Sequence, residues 1–134
     1  MDYGRRLNRY ASFQETKHKP DGNADRGRAQ AKEAKRILDR IAPRDRLIVL
    51  DERGKGITST GLSQLIQNSA LEGTGVLHFA LGGAYGHHQS MREAAHEVIK
   101  ISDLVLNHQI ARVLLLEQLY RAWTILKNEP YHHA

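Results

Sequence analysis

The first residues that could do chemistry sit along one apolar segment near the end of the chain. His108 and Arg112 are four apart and share a face if His108 already lies in a helix's first turn. Glu117 and Arg121, also four apart, read as an ordinary intrahelical ion pair. Arg112 and Arg121 are nine apart, on opposite sides of such a helix, so one can serve a site while the other braces structure. Upstream, the run LGGAYG places Gly82, Gly83 and Gly86 after a short apolar stretch. Paired glycines let a ligand approach the backbone, but a tight strand-to-helix turn explains them as well, and taken alone that reading is the stronger. The run is not G-x-G-x-x-G, and the chain has no Walker sequence, serine elbow or kinase signature. The eight histidines include His87-His88 and His132-His133, adjacent pairs that lack the i,i+4 spacing of a metal site. No cysteine is present, so neither a thiolate metal site nor a disulfide framework is expected, and no metal is assigned.

The elements that must position these groups alternate. Residues 2–9 are weakly helical, and 11–18 alternate loosely enough for a strand. Pro20, Gly22 and Asn23 make a turn. A helix is expected from Asn23 or Asp25 to Ile41, stopped by Pro43. RLIVL, Arg46 to Leu50, reads as a buried strand. Thr58 or Ser59 caps the next helix, whose Leu62, Leu65 and Ile66 recur at helical spacing before Gly73 and Gly75. Val76 to Leu81 is the following strand. Ser90 is expected to cap a helix from Met91 to about Ile99, with Glu93 in capping-box spacing. Ile101 to Leu106 reads as the last strand, and Gln109 to Lys127 as the last helix. Strands alternating with helices predict a mostly parallel α/β sheet flanked by helices, in one domain over residues 1–134. Apolar residues nearly encircle the last helix from Val113 to Trp123, which predicts burial against a second subunit as well as the chain's own sheet.

Charge is unevenly placed. Residues 1–55 hold 15 of the 20 Lys and Arg and a net +6, whereas residues 56–134 carry a net −1. Such asymmetry points to a polyanion met by the N-terminal half, although a solvated helix face fits the charge alone equally well. Few aromatics argue against a single-strand stacking platform. No apolar run approaches a membrane span, and the first residues do not begin a signal peptide, so a cytoplasmic setting is expected.

LGGAYG, LNHQIARVLLLEQLYRAW and NEPYHHA together resemble the RlmH family, small SPOUT-class methyltransferases. KEAKRILDRI, LIVLDERGK and TSTGLSQLI fall in the family's order, so the resemblance covers most of the chain. It implies S-adenosylmethionine as methyl donor and N3 of a pseudouridine in large-subunit ribosomal RNA as acceptor. It implies a C-terminal trefoil knot, an exception to ordinary chain topology that no periodicity could suggest, and a homodimer. It implies cofactor contacts at Leu50, Gly82, Gly83, Ser102, Asp103, Leu104, Val105, Leu106 and Asn107. The polar groups near the target base would be His108, Arg112, Tyr131 and His132, and the RNA backbone would meet Arg5, Arg6, Arg9, Arg28, Lys32, Lys35 and Arg36. The family usually opens with a further strand and part of a helix before the stretch matching Arg5-Arg6-Leu7, so against that pattern the given sequence is expected to be short by about one β-α unit; it also has Asn107 where proline is common, and His87-His88 where Leu-Ser or similar is usual. Two other readings compete: a non-catalytic SPOUT-like RNA- or ribosome-binding dimer, and an α/β enzyme using another nucleotide-like ligand.

Overall fold

The computed structural model describes residues 2–18, 22, 25–82 and 86–133. The turn expected around Pro20 and Asn23, and the expected cofactor residue Gly83, lie outside the described residues. The elements are α1 (Tyr3–Leu7), α2 (Arg26–Leu38), β1 (Arg46–Gly56), α3 (Ser59–Leu71), β2 (Leu77–Leu81), α4 (Gln89–Ala94), β3 (Glu97–Lys100) and α5 (His108–Leu126). The three strands form a parallel sheet in the order β2-β1-β3.

Alternation along β1 divides the core. Ile48 and Leu50 face Leu7, Leu62, Ile66, Leu115, Leu119 and Ala122, so α1, α3 and α5 cover that side. Leu47 and Val49 face Ala34 and Met91, so α2 and α4 cover the other. Both faces of β1 are therefore buried, as a continuous apolar run in a parallel sheet requires.

Several expected elements differ. Residues 11–18 form no strand: Phe13 is the segment's apolar anchor on the core, and the polar residues after it have no buried face to fill. α2 ends at Leu38, before Pro43 can stop it, and Asp25 is its N-cap. β1 runs past Leu50, but with an irregularity: both Leu50 and Lys55 pair with Ile99, so residues 51–54 loop out between them. The chain returns at Gly54, where a Cβ would stand 2.6 Å from the Ile99 nitrogen; only glycine allows that approach. α4 ends at Ala94, and the last strand is 97–100 rather than 101–106. The run after it is turned by Ser102, whose Oγ accepts from the Leu104 N–H at 2.9 Å, and this leaves Leu104 and Val105 in water. The cap of α4 is His88, whose Nδ1 accepts from the Ser90 N–H at 3.1 Å; Glu93 pairs instead with Gln89. Thr58 caps α3 as expected.

The apolar coat of α5 is largely consumed within the chain. Leu115, Leu119 and Ala122 lie in the core, and Tyr10 stacks flat on Trp123 at 5.8 Å. Tyr3 and Tyr10 both meet Tyr120. Most of the surface that the sequence assigned to a partner is thus covered by α1, α3 and the sheet. The apolar residues of α5 left exposed are at the other end, Ile110 and Val113, and Leu104 and Val105 in the loop before the helix are exposed as well.

Candidate active site

The strand register sets Leu50, the last paired residue of β1 before its 51–54 excursion, level with Leu81 at the carboxyl end of β2 and with Ile99 near that of β3. β1 is followed in sequence by β2 at one edge and then by β3 at the opposite edge, so the order reverses at β1. The crevice outside strand ends at such a reversal is where open α/β sheets hold ligands. Three of the expected ligand segments lie here. Leu50 is buried where the first paired stretch of β1 gives way to the 51–54 excursion. Gly82 opens the turn after β2, with Gly86 closing it: a Cβ on Gly82 would stand 3.1 Å from the Gly86 backbone and 3.3 Å from the His87 ring. Residues 101–107 leave β3 without regular structure. Ser102 and Leu106 are half-buried, whereas Asp103, Leu104, Val105 and Asn107 are exposed. Lys100 pairs with Asp103 at 2.5 Å, and that hydrogen bond holds the Asp103 carboxyl below its ordinary range.

Asn107 ends this loop by capping α5, its Oδ1 accepting from the Gln109 N–H at 2.8 Å. Asn107 thus starts the helix. His108 is consequently in the first turn, and Arg112 follows one turn later on the same face. Arg112 is not free. Its Nε and Nη2 both donate to the Glu15 carboxylate, the second at 2.7 Å. The hydrogen bond lowers the Glu15 pKa and raises that of Arg112.

Tyr131 and His132 sit at the opposite end of α5. Arg121 donates to Glu117 Oε1 at 2.9 Å, the expected helix pair, and its Nη1 donates to His132 Nδ1 at 3.1 Å. Tyr131 donates to the same Glu117 oxygen at 3.2 Å, lies under the Arg121 guanidinium, and has its pKa pushed up to about 12, chiefly by burial. A helix rises about 1.5 Å per residue, so roughly 20 Å separates the levels of His108 and Arg121. One copy of the chain therefore brings together His108 with Arg112, and Tyr131 with His132, but not the two pairs.

The basic residues are also divided. Arg5 and Arg6 lie on α1, with Arg9 just after it, on one side of the sheet. Arg28, Lys32, Lys35 and Arg36 lie on α2, on the other. Arg6 sits over the Tyr120 ring at 5.3 Å, Lys35 pairs with Asp39 at 2.9 Å, and Arg28 pairs with Asp25 at 3.9 Å.

Sequence reasoning passed over Glu15, read as part of a strand, and over a network joining Asp51, His87 and Arg92. The unusual His87-His88 pair was its one signal; residues 41 apart, as Asp51 and Arg92 are, leave none.

Comparison with known proteins converges with this geometry. The family model described as "Predicted SPOUT methyltransferase" matches residues 1–132. A protein of Geobacter sulfurreducens named ribosomal RNA large subunit methyltransferase H is 42% identical over 133 residues, covering 98% of this chain and 86% of that one. Namesakes from Geobacter sp. strain M21 and Syntrophotalea carbinolica are each 39% identical, over 132 and 134 residues, with the same coverage. With a three-stranded parallel sheet flanked by helices and a family match along nearly its whole length, the chain belongs to the SPOUT methyltransferases.

Proposed function

We propose that this protein is an RlmH-type enzyme that moves a methyl group from S-adenosylmethionine to N3 of a pseudouridine in large-subunit ribosomal RNA. The observation that carries the proposal is the register that sets Leu50 level with Leu81 and Ile99, the strand residues that lead into Gly82 and the 102–107 loop. The relatives' names supply the substrate class.

The residues present fit the cofactor. Leu50 offers an apolar floor, the crowded Gly82 turn offers backbone that no Cβ shields, and residues 102–107 offer peptide groups outside any helix or strand. Gly83 belongs to the same set by its family position. When bound, S-adenosylmethionine would supply a methyl group on a sulfonium, which leaves as a neutral thioether. Ser102, Asp103, Leu104, Val105, Leu106 and Asn107 would hold it through the backbone and keep water out.

The acceptor nitrogen must lose a proton. His132 already accepts from Arg121, which can only donate, so its remaining ring nitrogen is an N–H donor. His108 is exposed in the first turn of α5, and an imidazole has both an accepting and a donating nitrogen, so it is assigned the proton. Arg112 would steady the negative charge that develops nearby. Tyr131 and His132 would orient the base from a second copy of the chain, because no single copy unites them with His108. The exposed Leu104, Val105, Ile110 and Val113 form the surface for that pairing, and the C-terminal segment would be threaded as the family's trefoil knot. Arg5, Arg9, Arg28, Lys32 and Lys35 would grip phosphates from the two basic faces, with Arg6 and Arg36 beside them. The setting is the cytoplasm. Among the described residues no helix is long and apolar enough to cross a membrane.

The test is methyl incorporation from labelled S-adenosylmethionine into purified ribosomes, followed by mass mapping of the RNA. Label in a single large-subunit pseudouridine is the expected result. Cofactor binding without any transfer would overturn the enzyme reading in favour of a binding protein.

A further inference from the structure

Three segments meet beside the glycine turn. Asp51 is the first residue of the excursion that leaves β1. One of its carboxylate oxygens accepts from the Arg53 N–H at 2.9 Å and so begins the turn outward. The other accepts from Arg92 Nη1 at 3.3 Å. The same Arg92 nitrogen donates to the carbonyl of His87 at 3.0 Å, where the chain emerges from the glycine turn. The His87 ring turns back toward β2: its Nε2 is 3.1 Å from the Ala80 carbonyl. Its Cδ2 stands where a Cβ on Gly82 would be in close contact.

The pair is sheltered, with the Asp51 and Arg92 side chains 8% and 21% exposed. A sheltered ion pair with both oxygens of the acid engaged fixes its attachments far better than a surface pair does. Those attachments are the residue after Leu50 and the exit of the Gly82 turn. Among the described residues, no other side-chain hydrogen bond joins the 51–54 excursion to the exit of the glycine turn.

We propose that Arg92 is a positioning residue. By clamping Asp51 to the His87 carbonyl, with the His87 ring as the wedge beneath, it holds β1 just past Leu50 and the glycine turn at the spacing the cofactor requires. Arg92 does not touch the reacting atoms. It acts through Leu50 and Gly82, so its loss loosens cofactor binding and leaves the chemical step intact. This rests on the cofactor reading above.

The experiment compares wild type, Arg92→Met and Arg92→Lys in the full-length protein. Calorimetric titration with S-adenosylmethionine should show affinity about tenfold weaker for Arg92→Met. Arg92→Lys, whose ammonium can still span both acceptors, should recover most of it. The rate at saturating cofactor should hold while KM for the cofactor rises. Without any cofactor, amide exchange at Arg53 should accelerate in Arg92→Met and not in Arg92→Lys, which reads the clamp directly. Should Arg92→Met fail to fold, Arg92→Gln takes its place, with affinity expected between those of wild type and a broken clamp. A neutral variant that folds and binds within about twofold of wild type, with Arg53 exchange unchanged, would overturn the clamp alone. A wild-type protein with no affinity for S-adenosylmethionine would overturn the cofactor reading, and this inference with it.

Discussion

Arg112 carries its charge on a fork that Glu15 already fills from a segment without secondary structure. A bidentate carboxylate occupies a guanidinium much as a phosphate would. RNA arriving at His108 must therefore displace Glu15 or leave Arg112 out of the contact. Glu15→Gln should free the fork, strengthen RNA binding several-fold, and steepen the log–log salt dependence by about 0.9 for the phosphate gained. Filter binding across a salt series reads both; an unchanged slope would mean that Arg112 meets no phosphate. Acid acts the same way with a definite sign. Arg112 depresses the Glu15 pKa, so the pair stays intact above the ordinary carboxylate value of 4.5 and breaks only as pH falls through the lower folded value. The four-residue spacing of His108 and Arg112 was legible in sequence because a helix repeat is local. Glu15 was not, because it lies 97 residues from Arg112 and the alternation around it suggested a strand.

Among the elements, α5 separates what periodicity can tell from what it cannot. Its length, its Glu117–Arg121 pair and its apolar character follow from spacing within one helix. Which azimuth faces its own chain does not, because α1, α3 and the sheet all compete for the same side chains. Leu119 is 7% exposed and Val113 is 50% exposed, though both are aliphatic residues of one helix. Leu119→Ala should cost about 2–5 kcal/mol of unfolding free energy, the range for emptying a packed leucine site. Val113→Ala should cost well under about 1 kcal/mol at concentrations where the chain is alone. Urea unfolding of the two side by side checks this, and equal losses would misplace the core. The β3 error has a related cause. EVIK and ISDLVL are both β-rich runs, and only the Ser102 turn, made by a side chain to a backbone N–H two residues on, decides between them.

At the scale of the whole molecule, the division of the proposed site decides the assembly. His108 and Arg112 lie at one end of a 19-residue helix, and Tyr131 and His132 lie at the other, bound to Arg121. If both pairs serve one base, they come from two copies, joined across the apolar surface of Leu104, Val105, Ile110 and Val113. Val113→Glu should then disperse the dimer, read by light scattering, and abolish methyl transfer with it. A sharper test mixes two dead proteins. Arg112→Ala spoils the helix-start half and His132→Ala spoils the tail half, so each homodimer has two defective sites. A mixed dimer has one site with both defects and one with neither. Random exchange makes half of the dimers mixed, so activity should return to roughly a quarter of wild type. Sites built within single chains would show no recovery at all, because every site would keep its own chain's defect. That outcome would require the tail to leave Arg121 and travel the length of α5 to reach His108, and it would overturn the shared site even if the protein proved to be a dimer.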